Sequence, residues 1–190
     1  MTSILKADTI QDTDGNNIIN ENSNTITIGA SGDTTNIIGT LQNDGAAVAN
    51  TPAFSAYAAS AQSLSSGSAT KVVFGTEAYD TDSAFTDSRF TVPSGKAGKY
   101  VFTTNFYAAV DNGTLEEQQL YIRKNGTDVA TTAVDFRNND DGSDNGMILT
   151  QTLDLSVGDY IEVYVVIVAT NPAGRSGQAF VYFTGHKLII

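Results

Sequence analysis

The chain has 190 residues, with 21 acidic and 10 basic side chains, a formal net charge of −11 at pH 7, and no cysteine. Such a negative surface repels phosphate backbones, which excludes nucleic acid as an expected partner, and the lack of cysteine excludes disulfide and thiol chemistry. The first residues hold no apolar segment of signal-peptide length, and the longest apolar run, residues 161–169, is too short to cross a bilayer. Neither a signal peptide nor membrane insertion is therefore expected.

Residues 1–50 contain no aromatic side chain, and their apolar content is mainly isoleucine in short groups between turns rich in Asn, Asp and Gly. A spacing of roughly nine to eleven residues between groups is typical of short strands joined by tight turns. So little apolar surface cannot offset the entropy lost when one chain is ordered. Disorder is one interpretation. The favoured one is an extended, β-rich stem or anchor in which three chains pool their isoleucines.

Residues 51–190 have the pattern of a globular all-β head. Asn125-Gly126 is a strong hairpin signal, and Val157-Gly158-Asp159 predicts a second tight turn. The helix-friendly residues 116–119 run directly into a strand pattern, so no helix is predicted. The predicted strands are 53–60, 71–77, 86–92, 99–110, 117–124, 128–136, 146–155, 159–169 and 178–188. This many short strands in a domain of this length indicates an antiparallel sandwich.

The segment 99–110 is predicted to be the central strand of the head. Tyr100, Phe102 and Phe106 share one parity, and successive side chains of a strand point to opposite faces, so this parity is expected to face the core. On the other parity, Val101 and Tyr107 dilute the polar residues. That mixture suits a face in contact with another subunit. Tyrosine buries area while keeping a polar tip. The predicted trimer contacts are Val101, Tyr107 and Tyr182.

The densest group of oxygen ligands in the sequence lies over residues 138–145. Carboxylates on a Gly-containing loop suit calcium, which prefers several oxygen ligands, so calcium is the candidate ion and Asp140, Asp141 and Asp144 are its candidate ligands. A hydrated turn without an ion is the alternative, because the spacing does not match an EF-hand loop. No other cofactor is expected.

Enzymatic chemistry has little support in the sequence. His186 is the single histidine and lies inside the last predicted strand, where a structural or interfacial role is favoured over a place in a catalytic triad. Glu116 and Glu117 resemble the carboxylate pair of a glycosidase, but adjacent acids on a loop edge are more often a solvated face. The chain is therefore predicted not to be an enzyme.

Several motifs of the head occur in a defined order. They are Phe54-Ser55-Ala56-Tyr57, Lys71-Val72-Val73-Phe74, Phe90-Thr91-Val92-Pro93, Gly98-x-Tyr100-x-Phe102, Lys124-Asn125-Gly126, Gly158-Asp159-x-Ile161 and Phe183-x-Gly185. This order and spacing, over residues 53–190, resembles the globular head of complement component one, subcomponent q, a relative of the tumour-necrosis-factor jelly roll. The resemblance implies a ten-strand jelly-roll sandwich that forms a compact homotrimer.

The N-terminal region departs from that family, because neither a collagen-like repeat nor a signal peptide precedes the head. Its isoleucine groups and Asn/Gly-rich turns resemble instead the stems of bacteriophage virion fibres. Together the two resemblances imply a structural virion protein, a trimeric tail fibre, appendage or capsid-decoration protein assembled in the host cytoplasm. Residues 1–50 would then bind other virion proteins. The alternatives are a soluble ligand-binding head of a cellular protein and, less favoured, a polysaccharide depolymerase.

The direction of the strands predicts where the head binds its ligand. If the last strand pairs antiparallel with the first, the long polar loops 111–116, 137–145 and 171–177 lie at the end away from residue 53. Loops carried on a rigid scaffold are the usual place for recognition. Host-surface polysaccharide is the expected ligand. The candidate ligand- or receptor-binding residues are Asp111, Asn112, Glu116, Arg137, Asp140, Asp141, Asp144 and Arg175.

Overall fold

The computed structural model describes residues 9–11, 13, 17–22, 25–28, 32, 34–38, 41–43, 46–47, 49–110, 114–137 and 143–189. All regular elements in this part of the chain are β-strands. The chain divides into two compact units, Met1–Val48 and Ala49–Ile190. The second unit is called the head below.

In the unit Met1–Val48, the described residues form two small antiparallel sheets. Its strands are β1 (Thr9–Gln11), β2 (Asn17–Asn22), β3 (Thr25–Ile28), β4 (Gln42–Asn43) and β5 (Ala46–Ala47). The backbone register pairs Ile10 with Ile19 and Ile19 with Ile28, so three isoleucine positions form one row across β1, β2 and β3. Ile10 and Ile28 are exposed.

The described residues of the head form thirteen strands in two antiparallel sheets. They are β6 (Ala53–Tyr57), β7 (Gln62–Ser63), β8 (Thr70–Lys71), β9 (Thr76–Asp80), β10 (Phe85–Thr86), β11 (Arg89–Thr91), β12 (Gly98–Val110), β13 (Leu115–Lys124), β14 (Thr127–Asp135), β15 (Asn145–Leu155), β16 (Tyr160–Ala169), β17 (Pro172–Gly174) and β18 (Tyr182–Lys187). In the first sheet, β12 is paired with β15 along one side and with β18 and β17 along the other, and β18 leads on to β6 and β9. The second sheet has the order β10-β11-β16-β13-β14, with β8 also beside β16.

The core lies between the two sheets and is rich in phenylalanine. Tyr100, Phe102 and Phe106 of β12 are fully buried, which confirms the parity predicted for the central strand. Phe54 stacks on Phe85 with ring centroids 4.7 Å apart. The buried polar residues on this side are also satisfied: the Thr104 hydroxyl, for example, donates a hydrogen bond to the Tyr182 carbonyl at 2.9 Å.

Several predicted strands are shorter or divided in the structure, and the predicted strand 53–60 ends at Tyr57. The segment 71–77 is interrupted because the Phe74 amide donates to the Ser88 hydroxyl (2.8 Å) instead of to a neighbouring strand. The segment 86–92 is a hairpin, since Asp87 and Ser88 both have positive φ, as a two-residue turn of this kind requires. The predicted strand 178–188 begins at Tyr182, because the preceding residues form a turn closed by a 3.0 Å hydrogen bond from the Phe180 amide to the Gly177 carbonyl.

The first and last strands of the head pair antiparallel, as predicted, with Ala53 opposite His186. One end of the sandwich, called the Ala53 end, therefore also carries Gly98 and Leu155. The opposite end, called the Val110 end, carries the start of β13, the start of β15 and the end of β16. The described parts of the long polar loops flank this Val110 end.

Candidate interaction surfaces

The outward side of the first sheet carries a broad surface without formal charge, called the neutral face. It consists of Ala53, Ser55, Tyr57, Val101, Thr103, Asn105, Tyr107, Ile148, Thr150, Thr152, Tyr182, Thr184 and His186. None of these described side chains is an aspartate, glutamate, lysine or arginine. The chain has 21 acidic and 10 basic residues, so the lack of charged side chains on this surface distinguishes it from the rest of the sequence.

Two rows of side chains make up the centre of the neutral face. In one row the register aligns hydroxyl residues, and Thr103 and Thr150 share a hydrogen bond of 3.0 Å between their Oγ1 atoms. The next row places Tyr57, Tyr182, Asn105 and Ile148 side by side. The Ile148 side chain is 62% exposed. This centre combines aromatic, aliphatic and hydroxyl groups, the composition that favours contact with another protein surface.

Ion pairs mark both ends of the neutral face. At the Ala53 end, Lys99 Nζ lies 3.1 Å from Asp154 Oδ2 on the neighbouring strand. At the Val110 end, the Arg175 guanidinium pairs with Asp144. The arrangement of an uncharged centre with charged margins is typical of interfaces that exclude water only in the middle.

All three residues predicted as trimer contacts lie on the neutral face. Val101 and Tyr107 project from β12, and Tyr182 from β18, each half-buried in the single chain. Tyr107 packs edge-to-face on Phe180 with ring centroids 5.4 Å apart. Their role in subunit contact remains a prediction.

Two of the predicted ligand-binding residues meet at the Val110 end. Arg175 pairs with Asp144, and Asp144 Oδ1 also accepts a hydrogen bond from the Val110 amide at 3.3 Å. The Arg175 guanidinium lies 4.9 Å from the ring centroid of Tyr107 and 5.5 Å from that of Phe180. This cation is thus held by a carboxylate on one side and by two aromatic rings on the other.

Two further predicted residues, Arg137 and Glu116, form a separate cluster at the same end. Arg137 pairs with Glu117, with Asp135 at 3.1 Å, and with Glu116 at 3.8 Å. The hydrogen bond to Glu117 and the charge of Asp135 raise the pKa of the Arg137 guanidinium. The cluster thus groups three carboxylates around one guanidinium, as in an ion-pair network at a solvated surface.

The remaining predicted binding residues, Asp111, Asn112, Asp140 and Asp141, lie outside the described residues. Of the three aspartates predicted to bind calcium, the structure describes Asp144, which pairs with Arg175. Within the described ranges, no group of three or more His, Cys, Asp or Glu side chains is placed to hold a metal ion.

An ion-pair cluster on the second sheet was not anticipated as a site by sequence reasoning. Glu162 is only 4% exposed and lies 2.7 Å from Lys71 Nζ and 2.9 Å from Arg89 Nη2. Burial opposes ionisation, yet the hydrogen bonds from Lys71 and Arg89 hold the pKa of this carboxyl below its usual value. Its signal in the sequence is the single charge inside the apolar run 161–169. The cluster joins β8, β11 and β16, so we assign it a structural role.

No helix in the described part of the chain is long and apolar enough to span a membrane.

His186 lies on the neutral face, opposite Val101 on β12 and Ala53 on β6.

Comparison with solved structures identifies the architecture. Murine APRIL at pH 5.0 matches with a TM-score of 0.54 and 12% identity, over 72% of this chain and 98% of that chain. The Eiger TNF from S. frugiperda matches with a TM-score of 0.54 and 11% identity, over 72% of this chain and 91% of that chain. The globular domain of the zebrafish complement 1qA protein gives a TM-score of 0.46 at 17% identity, over 72% and 97% of the two chains.

At these identities the first two matches establish the fold alone. The head is an antiparallel jelly-roll sandwich of the tumour-necrosis-factor type, which confirms the predicted fold class. None of the three solved structures is of an enzyme. The sequence matches no protein-family model and no curated protein.

Proposed function

We propose that this chain is a structural protein of a bacteriophage virion, which works as a homotrimer and presents its jelly-roll head to a host-surface glycan. The observation that carries the proposal is the neutral face of the first sheet. On it, side chains suited to burial are gathered, and the described members include no formal charge.

Charge explains why this face is the one through which copies associate. Three copies carry a formal charge of −33, three times the −11 of one chain, so their mutual repulsion opposes assembly. Contact through a face without carboxylates brings the fewest like charges together. Thr103, Tyr182 and Ile148 can also be buried in a subunit contact without leaving an ionised group unpaired.

The unit Met1–Val48 supports the assignment to a fibre-like stem. Its apolar side chains are exposed wherever the structure describes them, and the exposed fraction of Ile38 reaches 95%. The row formed by Ile10, Ile19 and Ile28 places isoleucine on three adjacent strands. Exposed isoleucines of this kind are costly in water, and three chains that pool them around one axis remove that cost. The threefold order is further supported by the family that the head resembles.

A soluble ligand-binding head of a cellular protein is the second candidate. The two solved structures that establish the fold are of a mouse and an insect protein, which favours this candidate as much as the fold favours a virion module. The two candidates share the trimer and differ in where the protein is found.

A single charge on the neutral face tests the trimer. Thr150→Glu places a carboxylate at an exposed position on this face, and Thr131→Glu places the same group at an exposed position on β14 of the other sheet. The parent and Thr131→Glu should sediment at about three times the 20.0 kDa chain mass, whereas Thr150→Glu should sediment as a monomer. A parent that sediments near 20.0 kDa, or two variants with the same mass, would contradict the proposed interface.

The location of the protein separates the two candidates. Antibodies raised against the head would be applied, with immunogold detection, to virus particles and to cells from the source of the sequence. Gold on fibres or on the capsid surface is the expected result. Label confined to cells, with clean particles, would replace the virion assignment by the cellular one and leave the trimer untouched.

A further inference from the structure

A shallow depression of about 400 Å³ lies at the Val110 end, beside the neutral face. Its floor is built from small residues, since Ala109 of β12 lies opposite Ala173 of β17 and Ala61 is also part of the lining. Where small residues stand beside larger ones on the outward side of a sheet, the surface is recessed. The volume falls within the range of small-molecule sites.

Phe180 is the large aromatic side chain in the lining of this depression. Phe180 is 37% exposed, and its ring meets that of Tyr107 edge-to-face. The Asn105 amide donates to the Phe180 carbonyl at 2.6 Å, which fixes the backbone beneath the ring. An exposed ring held in this way offers an apolar surface against which the C–H face of a sugar can pack.

Arg175 supplies the charge of the site. Its backbone amide donates to the Tyr107 carbonyl at 3.0 Å, and its guanidinium packs against the Tyr107 and Phe180 rings. Among the described residues, the ion pair with Asp144 engages one guanidinium nitrogen, Nη2. A guanidinium carries five N–H donors in a planar fork, so another edge of it can donate hydrogen bonds to a second carboxylate. The Asp144 pair shows that a carboxylate already binds this cation.

We propose that the depression binds one sugar residue that carries a carboxylate, a uronic or sialic acid of a host-surface glycan. The carboxylate pairs with Arg175, the ring packs on Phe180 and the alanine floor, and Ser176 lies in the lining within reach of a sugar hydroxyl. A single negative charge suits the site better than a phosphate or a sulfated polymer, because the chain itself carries −11 and repels highly charged anions. This inference rests on the glycan-recognition role proposed above and specifies its ligand.

Saturation-transfer NMR on the full chain tests the site with three acidic probes: methyl β-D-glucuronide, methyl β-D-galacturonide and N-acetylneuraminic acid. Methyl β-D-glucoside is the neutral control. At least one acidic sugar should bind, with an affinity at least about tenfold above that of the glucoside. The acidic sugar gains a charged hydrogen bond to Arg175 that the glucoside lacks. Arg175→Gln should remove this difference, and Arg175→Lys should restore only part of it, because lysine lacks the planar fork.

Arg123→Gln is the matched control, since Arg123 also pairs with an aspartate, Asp128, and also packs against a tyrosine ring, that of Tyr164, but lies on β13 of the second sheet. It should leave sugar binding unchanged. The mass of each variant is measured in the same samples, which separates loss of the trimer from loss of the ligand.

Three results would overturn the inference: no acidic sugar binds, acidic and neutral sugars bind alike, or Arg123→Gln weakens binding as much as Arg175→Gln. A fourth, conversion of Arg175→Gln to a monomer, would make Arg175 a subunit contact instead of a ligand site. A monomeric parent that still binds the acidic sugar through Arg175 would contradict the trimer and leave the sugar site standing.

Discussion

Two glycines of the first sheet are required by the aromatic rings that press on them. A Cβ atom on Gly185 would lie 2.5 Å from Cδ1 of Phe102 and 2.9 Å from Cε1 of Phe54. A Cβ atom on Gly174 would lie 2.6 Å from Cζ of Phe106. Atoms cannot approach so closely, so each ring packs directly on the backbone of a neighbouring strand, and glycine permits that approach.

This packing predicts a strong coupling between Phe102 and Gly185. Phe102→Ala should lower the free energy of unfolding by about 3–5 kcal/mol, because it leaves a cavity in the core. Gly185→Ala should lower it by about 1–3 kcal/mol, because the added methyl group overpacks the same place. In the double variant the methyl group enters space that the ring has left. The combined loss, measured by urea unfolding, should therefore be smaller than the sum by at least about 1 kcal/mol.

Gly174→Ala is the control for this double-mutant cycle. It adds the same methyl group against Phe106, a different ring on the same strand. Its effect should add to that of Phe102→Ala, since distant sites without a shared partner are independent. Additive behaviour of Gly185→Ala with Phe102→Ala would show that the two residues do not press on each other in solution.

Among the elements of the head, two turns at the Ala53 end are joined through Asp159. Its carboxylate lies 2.8 Å from Lys124 Nζ and accepts hydrogen bonds from the Asn125 side chain (2.7 Å) and the Ser156 amide (2.8 Å). These interactions, that with Lys124 foremost, lower the pKa of Asp159 to about 2. The β13–β14 hairpin is thereby tied to the turn between β15 and β16.

The lowered pKa predicts how the acid stability of the head depends on Asp159. The folded-state value is below the usual 3.8, so the carboxylate stabilises the fold above pH 3.8, and this contribution is lost as the pH falls towards about 2. Asp159→Asn should therefore cost about 1 kcal/mol at pH 7. The difference from the parent, measured by urea unfolding across the acid range, should shrink towards zero near pH 2.

Asp154→Asn provides the comparison, since Asp154 is also paired with a lysine but its side chain is 72% exposed. It should behave like the parent at every pH, because exposed ion pairs contribute little. A cost of Asp159→Asn that stays constant from pH 7 to pH 2 would show that its carboxylate is not the group that titrates.

The long strands could be predicted from the sequence because their information is local. The alternation over 99–110 identified β12 and its buried parity, and Asn125-Gly126 identified a hairpin. The short elements could not be predicted in this way. The interruption after β8 depends on the Ser88 hydroxyl, fourteen residues from the Phe74 amide that it binds. Such contacts exist only once the sheets are assembled.

For the whole molecule, the two outward sheet surfaces differ in chemistry. The neutral face covers the first sheet, whereas the second sheet carries Glu162 with its lysine and arginine partners, and Arg123 packed 4.0 Å from the Tyr164 ring. In these clusters the charged groups have partners within the same chain. The proposed subunit contact therefore uses the described sheet surface that lacks such charged groups.

Sequence reasoning placed the candidate site only in part. Val101, Tyr107 and Tyr182 could be assigned to one face because strand parity is local. The pairing of Arg175 with Asp144 could not be foreseen, because the two residues are 31 positions apart and meet only through β12, which is paired with both β15 and β17. The alanine floor beside them likewise results from the register of β12 and β17.

The position of β6 between β18 and β9 has a mechanical consequence. The chain enters β6 at Ala53, so a pulling force applied through the residues just before it acts along β6. Hydrogen bonds in an antiparallel sheet lie across the strands. The force therefore loads the bonds on both sides of β6 in shear, and they must fail together instead of peeling apart one by one. If the head is tethered through this strand, we expect slow unfolding under drag, with a lifetime under tension set by the unfolding rate.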